Sequence, residues 1–527
     1  MRRDQERSEM QENGNAVAYF VDRHAEQGRS DAAAFVDPWR RLTYGGLRAA
    51  TSRFASALQD AGIRRERRIA LAIFDTVDFP VAFWGAMRAG VVPVPVNTLL
   101  PADQVAHVLQ DSRAEALIVS APLLAALRPT LKDLPELQYV IVAAPDGSRP
   151  DFAGNEIPFT DFIANGRIDV APVSVSTDEV AFWLYSSGST GVPKGVRHVH
   201  GSLQATAETY GAQVLQIRPD DVVFSAAKLF FAYGLGNAMT FPMSVGASAV
   251  LLPDRPTPHA VLATMRQFQP TILAAVPTLF AALPSHAELG RGAGSDRLRV
   301  CISAGEPLPE PVGRRWKEQV GVDILDGLGS TEMLHIFLSN RPGDVRYGTT
   351  GVPVPGYEVK IVNEAGAEVA DGETGELIVR GPSAAEGYWN QRHKSRRTFR
   401  GEWTHTGDTY VRLPDGSYRY CGRADDMMKV GGIWVSPFEV ENALVSHPSV
   451  LEAAVVGKPD ADALIKPKAF VVLRPGVSGS PELYEALKAH VKEKIGAWKY
   501  PRWIEAVELL PKTATGKVQR FKLRAHR

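Results

Sequence analysis

The sequence predicts an α/β fold built around a largely parallel sheet, followed by a smaller second unit. Between residues 68 and 303, short apolar runs alternate with longer helix-like segments, the pattern of parallel strands covered by helices. From Tyr357 to Arg380 the pattern changes to alternating residues with Gly-containing turns, which predicts antiparallel hairpins. After CGRADDMMKVGG the chain begins again as a compact mixture of helices and strands.

Individual segments carry these predictions. In the first region the predicted strands are, in order, IALAIF, EALIVSAP, YVIVAAP, ASAVLLP, TILAAVP and RVCISAG. The middle region contributes a small β unit that closes the large domain. In the last region we predict a helix over FEVENALVSH, strands over EAAVVGKP and KAFVVLRP, and an amphipathic helix over PELYEALKAHVKEKIG. This final unit has about 100 residues, an ordinary domain size.

Length and charge restrict the class of protein. A chain of 527 residues is too long for one core, so we expect two or more domains. Lys plus Arg and Asp plus Glu number 59 each, so no overall charge attracts nucleic acid or an anionic membrane, and a small molecule is the expected partner. The charged N-terminus MRRDQERSEMQENGN has no apolar core, and Asp75, Asp78 and Arg88 interrupt the apolar stretches. We therefore predict a cytoplasmic protein without a membrane span.

The chain has two cysteines, Cys301 and Cys421, which lie far apart and lack CxxC spacing. This usage fits a reducing cytoplasm and predicts no structural zinc site. We interpret both as packing residues.

One stretch, YSSGSTGVPKGVRHVH from Tyr185 to His200, predicts a phosphate-binding loop. It follows the apolar run VAFWL, which we predict to be a buried strand. Glycines free the backbone to turn its N–H groups toward one point, hydroxyls add donors and Lys194 adds a positive charge, which suits a polyphosphate. An ordinary surface loop is the alternative. The common ATPase loop is excluded, because Pro193 precedes Lys194 and Gly195 follows it.

Four further motifs follow: DGLGSTEMLH, WTHTGD, CGRADDMMKVGG and PKTATGKVQR. Together with the loop, their order and spacing over most of the chain resemble the adenylate-forming superfamily of acyl-CoA synthetases, peptide-synthetase adenylation domains and firefly-type luciferases. The resemblance implies a large N-terminal AMP-binding domain, residues 1–424, with two α/β subdomains and a small β-barrel. It also implies a smaller, mobile α+β C-terminal domain, residues 425–527, that carries the catalytic lysine.

The resemblance also implies where ATP binds. The loop would embrace the β- and γ-phosphates with Ser186, Ser187, Gly188, Ser189, Thr190 and Lys194. Thr331 and Glu332 are similar to the pair that contacts the α-phosphate and supports Mg²⁺, since a carboxylate beside phosphate oxygens forms a hard oxygen site. Asp408 resembles the aspartate that binds the ribose hydroxyls, with Arg423 nearby. The adenine would be lined by Gly305, Glu306, Pro307, Asp326 and Gly327.

Lys517 resembles the lysine that assists adenylation in this superfamily. A carboxylate that attacks the α-phosphate brings two anions together, so a cation must lie between them. By the same resemblance the small domain then rotates about a hinge at Asp425, which admits the CoA thiol. Gly431 and Gly432 would border the pantetheine channel, where the lack of side chains leaves room.

Two segments, KLFFAYGLGN and MLHIF, are the basis for predicting the acyl site. Aromatic rings beside a small alanine suit a flat ring better than a long alkyl chain. Both segments look like the benzoate-CoA ligase branch, which implies an aryl pocket lined by Ala232, Tyr233, His335 and Ile336. His335 is equally compatible with a packed neutral histidine. His200 is at a position that is often aromatic or histidine in relatives, which implies contact with the acyl site, and His198 and His405 carry no assignment.

The predicted activity is an AMP-forming aryl-CoA ligase that uses a small carboxylate, ATP, Mg²⁺ and coenzyme A. Its open alternatives are a ligase for a substituted benzoate such as 2-aminobenzoate, a short- or medium-chain acyl-CoA synthetase, a luciferase-like member and an adenylation domain that loads a carrier protein. A different class is an inactive nucleotide-binding regulator, which would lack Lys517, Glu332 or Asp408, and all three are present. A homodimer stays open as an alternative to a monomer.

Overall fold

The computed structural model describes residues 13–148, 151–187, 193–285, 294–423, 426–430, 433–461, 464–496, 499–512 and 518–525. The helical segments are Ala18–Asp22, Arg23–Glu26, Tyr44–Asp60, Asp78–Arg88, Ala102–Ser112, Ala121–Leu131, Phe159–Ala164, His200–Thr206, Ala207–Val214, Ala232–Leu235, Gly236–Thr240, Phe241–Val245, Pro258–Phe268, Pro277–Ala282, Leu283–Ser285, Glu310–Val320, Arg392–Thr398, Pro437–Val445, Pro481–Ile495 and Arg520–Ala525. None of the helices in these ranges is long and apolar enough to cross a membrane.

A nine-stranded sheet forms the centre of the large domain, in the order β16-β15-β14-β13-β12-β10-β11-β1-β2. Its strands are β1 Ala33–Val36, β2 Arg41–Thr43, β10 Val222–Ser225, β11 Ser248–Val250, β12 Ile272–Ala275, β13 Val300–Ser303, β14 Ile324–Gly329, β15 Ile336–Ser339 and β16 Val352–Pro353. The strands from β14 to β1 along this order pair in parallel, and the outer pairs are antiparallel. Three of the predicted apolar runs, ASAVLLP, TILAAVP and RVCISAG, supply β11, β12 and β13.

A second, five-stranded parallel sheet has the order β4-β3-β5-β6-β7. Its strands are β3 Arg68–Ala72, β4 Val92–Pro95, β5 Ala114–Ser120, β6 Tyr139–Ala143 and β7 Glu156–Pro158. The helix Asp78–Arg88 follows β3 and is buried along its whole length, which explains its almost entirely apolar sequence. The α/β class and its two α/β subdomains are therefore confirmed.

A three-stranded antiparallel sheet carries the predicted phosphate loop. It consists of β8 Val180–Ser187, β9 Pro193–Val199 and the two-residue strand β19 Gly387–Tyr388, which comes from a distant part of the chain. The residues of VAFWL lie in β8, and Ala181, Phe182, Trp183 and Leu184 are all buried. The prediction of a buried strand before the loop is confirmed.

The small β unit predicted as a barrel is a five-stranded antiparallel sheet that pairs along β17-β18-β21-β20, with β22 beside β21. Its strands are β17 Glu358–Val362, β18 Thr374–Arg380, β20 Phe399–Arg400, β21 Trp403–Arg412 and β22 Tyr418–Arg423. The backbone N–H of Thr350 donates to Tyr418 O, and the N–H of Tyr418 donates to Gly351 O, each at 2.8 Å. These two hydrogen bonds join this sheet to the segment before β16.

The C-terminal unit contains the hairpin β23 Met428–Val430 and β24 Ile433–Val435, and the sheet β25 Val450–Pro459, β26 Ile465–Leu473 and β27 Trp503–Ala506. Both of its long helices begin at a proline that follows a serine cap. The hydroxyls of Ser436 and Ser480 each accept a hydrogen bond at 3.2 Å, from the N–H of Glu439 and of Leu483.

Candidate active site

The two strands that flank the phosphate loop hold its ends together. β8 and β9 pair with Ser186 opposite Lys194 and Ser187 opposite Pro193. The predicted ligands Gly188, Ser189 and Thr190 lie outside the described residues, as does the side chain of Ser187. The Ser186 hydroxyl is buried and has no hydrogen-bond partner among the described residues. Because a buried hydroxyl without a partner is costly, it is suited to a ligand oxygen.

Thr331 and Glu332 lie in the tight connection between β14 and β15, which pair antiparallel. The connection is closed by hydrogen bonds from the N–H of Met333 to Ser330 O at 3.3 Å and from that of Leu334 to Thr331 O at 3.2 Å. Leu334 has φ +63°, a left-handed conformation that costs a leucine on the order of 1 kcal/mol. This strained turn brings the Glu332 side chain and the Thr331 carbonyl oxygen against β9.

Lys194 and Glu332 form the centre of the site. The Nζ of Lys194 donates to Oε1 of Glu332 at 2.8 Å and to the hydroxyl of Tyr388 at 2.7 Å, and that hydroxyl donates to the same Oε1 at 2.8 Å. Burial alone would raise the pKa of Glu332, but the Lys194 charge and the hydrogen bonds from Lys194 and Tyr388 outweigh it and keep the pKa below its usual value. The carboxylate is therefore ionised at neutral pH.

His198, which lies in β9, supports the same turn. It is fully buried, stacks on Phe182 with ring centroids 5.2 Å apart, and its Nε2 lies 2.8 Å from Thr331 O. A carbonyl oxygen only accepts, so Nε2 carries a proton, and the ring is neutral at pH 7 because its pKa is lowered. Burial lowers the pKa of His198 to about 4, despite the opposing effects of that hydrogen bond and of Glu332.

The residues predicted to line the adenine lie at the ends of two neighbouring parallel strands. Gly305, Glu306 and Pro307 follow β13, and Asp326 and Gly327 lie in β14, where Asp326 pairs with Ser303. This is the edge at which open α/β sheets bind ligands. Burial raises the pKa of Asp326 well above its usual value. A Cβ at Gly327 would lie 2.8 Å from Cγ2 of Ile336 in β15. The close approach of β14 and β15 therefore favours glycine at this position.

Asp408 and Arg423 are paired in the small β sheet. They face each other across β21 and β22, and Nη1 of Arg423 donates to Oδ1 of Asp408 at 2.9 Å and to Thr406 O at 3.0 Å. The preceding Gly407 has φ +69°, and a Cβ there would lie 2.9 Å from Nη2 of Arg423. The charge of Asp408 is the main cause that raises the pKa of Arg423. The structure thus brings Arg423 next to Asp408, the residue predicted to bind the ribose.

The structure also brings the predicted aryl-pocket residues together. The rings of Tyr233 and His335 have centroids 5.9 Å apart, and Nε2 of His335 lies 3.4 Å from Tyr233 O. Ala232 and Ile336 are their sequence neighbours, and Ile336 is buried in β15. The Tyr233 hydroxyl lies 2.8 Å from Ile302 O and 3.1 Å from Ala275 O, so the sheet holds this ring in place.

His335 is a neutral histidine in a crowded environment. Burial lowers its pKa to about 3, with a small opposing effect from Tyr233 O. A Cβ on Gly236 would lie 2.4 Å from Cδ2 of His335, so only glycine fits at that position. Asn237 donates from Nδ2 to Tyr233 O at 2.9 Å and lies 3.4 Å from Nε2 of His335. Asn237 therefore contacts both Tyr233 and His335.

Other predicted residues lie apart from this cluster or outside the described ranges. His200 is buried, and its Nδ1 accepts from the N–H of Ala16 at 3.2 Å. Cys301 is fully buried in β13, as expected of a packing residue. The predicted residues Asp425, Gly431, Gly432 and Lys517 lie outside the described residues. The residues flanking the TATGK segment, Lys512 and Val518, form an antiparallel bridge.

Sequence reasoning missed three residues of this site: Tyr388, His198 and Asn237. Tyr388 lies in a two-residue strand without a periodic pattern, and His198 and Asn237 act through contacts with residues far along the chain. His198 alternates with Val196 in the strand after the loop, a pattern that indicates a buried face but not its partner.

The donor set fits a magnesium ion that arrives with a nucleotide. Across the described ranges, no group of three or more His, Cys, Asp or Glu residues lies close enough to hold a metal. Mg²⁺ is usually bound in proteins by one or two carboxylates together with substrate phosphates. Glu332, ionised beside the predicted phosphate loop, would supply that one carboxylate.

Comparison with known proteins gives consistent matches over nearly the whole chain. Residues 21–389 match the family model for AMP-binding enzyme, and residues 439–517 match that for the AMP-binding enzyme C-terminal domain. A 4-hydroxybenzoate–CoA/benzoate–CoA ligase of Rhodopseudomonas palustris is 53% identical, over 97% of this chain and 94% of the relative. A benzoate–CoA ligase of Thauera aromatica is 50% identical, over 97% and 96%. The structure of a benzoate CoA ligase from Burkholderia xenovorans LB400 matches with a TM-score of 0.89 at 48% identity, over 97% and 99%.

Proposed function

The chain belongs to the AMP-binding enzyme family, and from this premise we propose that it is an ATP-dependent benzoate–CoA ligase. In the first half-reaction the carboxylate of benzoate attacks the α-phosphate of ATP, which gives benzoyl-AMP and pyrophosphate. In the second, the thiol of CoA displaces AMP and gives benzoyl-CoA. The bond between Lys194 and Glu332 is the observation that carries this proposal, because it unites the phosphate loop with the STE turn.

Different described residues would bind different parts of ATP. Lys194 offers a cation and Ser186 a buried hydroxyl to the phosphates, while Asp408 offers a carboxylate to the ribose. Glu332 and Thr331 would hold Mg²⁺, which when bound neutralises phosphate charge. His198 keeps the Thr331 backbone in place. These groups are positioned before the nucleotide arrives, and the main rearrangement is that Lys194 shifts part of its interaction from Glu332 to the phosphates.

The aryl pocket supports benzoate as the acid. The sheet fixes the Tyr233 ring, and Asn237 lies between Tyr233 and His335, so two of the four predicted pocket residues present aromatic rings in fixed positions. Burial keeps His335 neutral, so it contributes a flat surface and no charge. Aromatic rings in fixed positions suit a planar substrate ring. A second substrate, 4-hydroxybenzoate, is favoured by the name of the relative that is 53% identical.

The proposal includes a domain arrangement. Residues 1–424 would form the AMP-binding domain, and residues 425–527 the mobile domain that brings Lys517 to the first half-reaction. A rotation about Asp425 would then open a path for CoA past Gly431 and Gly432. We place the protein in the cytoplasm, and a homodimer is the oligomeric form to test.

Product analysis tests the proposed function. Purified protein with ATP, Mg²⁺, CoA and benzoate should form equal amounts of benzoyl-CoA and AMP, measured by mass spectrometry. Parallel reactions with 4-hydroxybenzoate, 2-aminobenzoate and hexanoate define the acid. Thioester formation with hexanoate but not with benzoate would refute the aryl assignment, and acyl-AMP without thioester would indicate another acyl acceptor.

A further inference from the structure

Tyr388 stands at the phosphate site although no motif singled it out. In β19 it pairs with Val196 of β9, two residues after Lys194. Its hydroxyl accepts from Nζ of Lys194 at 2.7 Å and donates to Oε1 of Glu332 at 2.8 Å. Tyr388 is thus connected by its backbone to the strand that carries the cation, and by its side chain to both charges.

The hydrogen bonds of Glu332 are unequally distributed between its two oxygens. Lys194 and Tyr388 both donate to Oε1. By contrast, no hydrogen bond from another residue in the described ranges reaches Oε2. We propose that Tyr388 is a positioning residue for Mg²⁺–ATP, which holds Oε1 and so presents Oε2 as the metal-binding oxygen of Glu332. This inference rests on the proposed function and specifies how its nucleotide site is arranged.

The need for Tyr388 arises when ATP binds. The phosphates attract Lys194, so Glu332 gives up part of its interaction with its cation. A buried carboxylate that loses a donor pays a desolvation penalty unless another donor remains. Among the residues bonded to Oε1, the Tyr388 hydroxyl is the donor that is not itself drawn to phosphate. Because the hydroxyl is neutral, it orients the carboxylate without competing with Mg²⁺ as a cation would.

The surroundings hold the Tyr388 ring in this position. Its backbone N–H donates to Oγ of Ser395 at 3.0 Å, and its ring packs beside Phe399 with centroids 5.4 Å apart. A second oxygen, Oγ1 of Thr398, lies 3.3 Å from the hydroxyl. The backbone N–H of Ala385, three residues before Tyr388, donates to Glu332 O at 2.8 Å. One short segment therefore fixes both the backbone and the side chain of Glu332.

Calorimetric titration with ATP tests the inference in the absence of any carboxylate, so that no adenylation occurs. Each protein is titrated once with Mg²⁺ and once with EDTA, and the ratio of the two dissociation constants gives the gain due to Mg²⁺. Tyr388→Phe should reduce this gain about tenfold, the effect of one charge-assisted hydrogen bond. Its affinity for ATP in EDTA should change much less. Formation of benzoyl-CoA from preformed benzoyl-adenylate should keep the wild-type rate.

Matched variants separate positioning from a general loss of packing. Tyr139→Phe removes a tyrosine hydroxyl that donates to Ala61 O at 3.0 Å in the five-stranded parallel sheet. This variant should keep the wild-type gain from Mg²⁺. Glu332→Gln should abolish the gain, and adding Tyr388→Phe to Glu332→Gln should have no further effect, because the tyrosine acts through Glu332.

The outcomes distinguish this inference from the function on which it rests. A folded Tyr388→Phe protein with the wild-type gain from Mg²⁺ would overturn the positioning role and leave the ligase proposal intact. The same holds if Tyr388→Phe lowers the gain further in the Glu332→Gln background. A wild-type protein that binds no ATP with or without Mg²⁺ would instead refute the proposed function.

Discussion

The Nζ of Lys194 lies 2.8 Å from Oε1 of Glu332, and the two residues are 138 positions apart in the chain. Each side chain has only 16% of its surface exposed, so neither charge is well solvated. A pair of this kind contributes little net stability, but each partner becomes costly when the other is removed. The pair therefore holds two opposite charges ready where a nucleotide can separate them.

Removing the cation alone should reveal this dependence. Lys194→Met leaves the Glu332 carboxylate without its cation, so the free energy of unfolding should fall by about 3 kcal/mol. The double variant Lys194→Met/Glu332→Gln should recover most of that loss but should not recover ATP binding. Urea denaturation and ATP calorimetry provide the two measurements. Equal stability of the single variant and the wild type would contradict the interaction.

Lys517→Ala should separate the two half-reactions. The charge argument predicts that adenylation of benzoate falls about 10²–10³-fold, whereas transfer from preformed benzoyl-adenylate to CoA is spared. Lys512→Ala is a matched control, because Lys512 is a nearby lysine whose Nζ lies 2.7 Å from Oε2 of Glu452. Single-turnover assays of each half-reaction measure the effect. An equal loss in both half-reactions would refute the assigned role.

Gly236→Ala should affect benzoate rather than ATP. The new methyl group would lie 2.4 Å from Cδ2 of His335 and 3.0 Å from Cζ of Phe241, so the ring must move. Overpacking of this kind costs about 1–3 kcal/mol, which predicts a KM for benzoate raised about tenfold and an unchanged KM for ATP. Gly201→Ala is the control, since its closest contacts of 3.4 Å are ordinary. A KM for benzoate unchanged in Gly236→Ala would exclude His335 from the pocket.

Buried neutral histidines should make the protein sensitive to mild acid. The folded-state pKa is about 4 for His24, His198 and His200, and about 3 for His335, against an ordinary value of 6.5. Below pH 6.5 the unfolded chain therefore binds protons that the folded chain does not. The free energy of unfolding has its full value above that pH. It should fall as the pH decreases toward 4, by up to about 1.4 kcal/mol per pH unit for each histidine.

Urea denaturation at pH 7.5, 6 and 5 measures this dependence. His198→Gln keeps a donor for Thr331 O but does not titrate, so its loss of stability between pH 7.5 and 5 should be smaller than that of the wild type by about 1–2 kcal/mol. Parallel pH curves for the two proteins would show that His198 does not stay neutral in the folded state.

The sequence was most informative where local pattern and structure agree. Runs such as TILAAVP became buried parallel strands because burial on both faces demands continuous apolar residues. The loop of Lys194 and the turn of Glu332 were identified by their chemistry, but their contact depends on the antiparallel pairing of β14 with β15 and of β8 with β9. Tyr388 could not be predicted, because its strand has two residues and pairs with a strand about 190 positions earlier.

Benzoate-dependent exchange of labelled pyrophosphate into ATP, measured without CoA, is the sharpest test of the proposed activity. It requires that the site bind ATP, hold the phosphates and activate an aryl carboxylate, all before any thiol is present. We expect strong exchange with benzoate, little with hexanoate, and a loss of about 10²-fold or more in Lys194→Met. Exchange that depends on hexanoate alone, or that survives in Lys194→Met, would contradict the proposal.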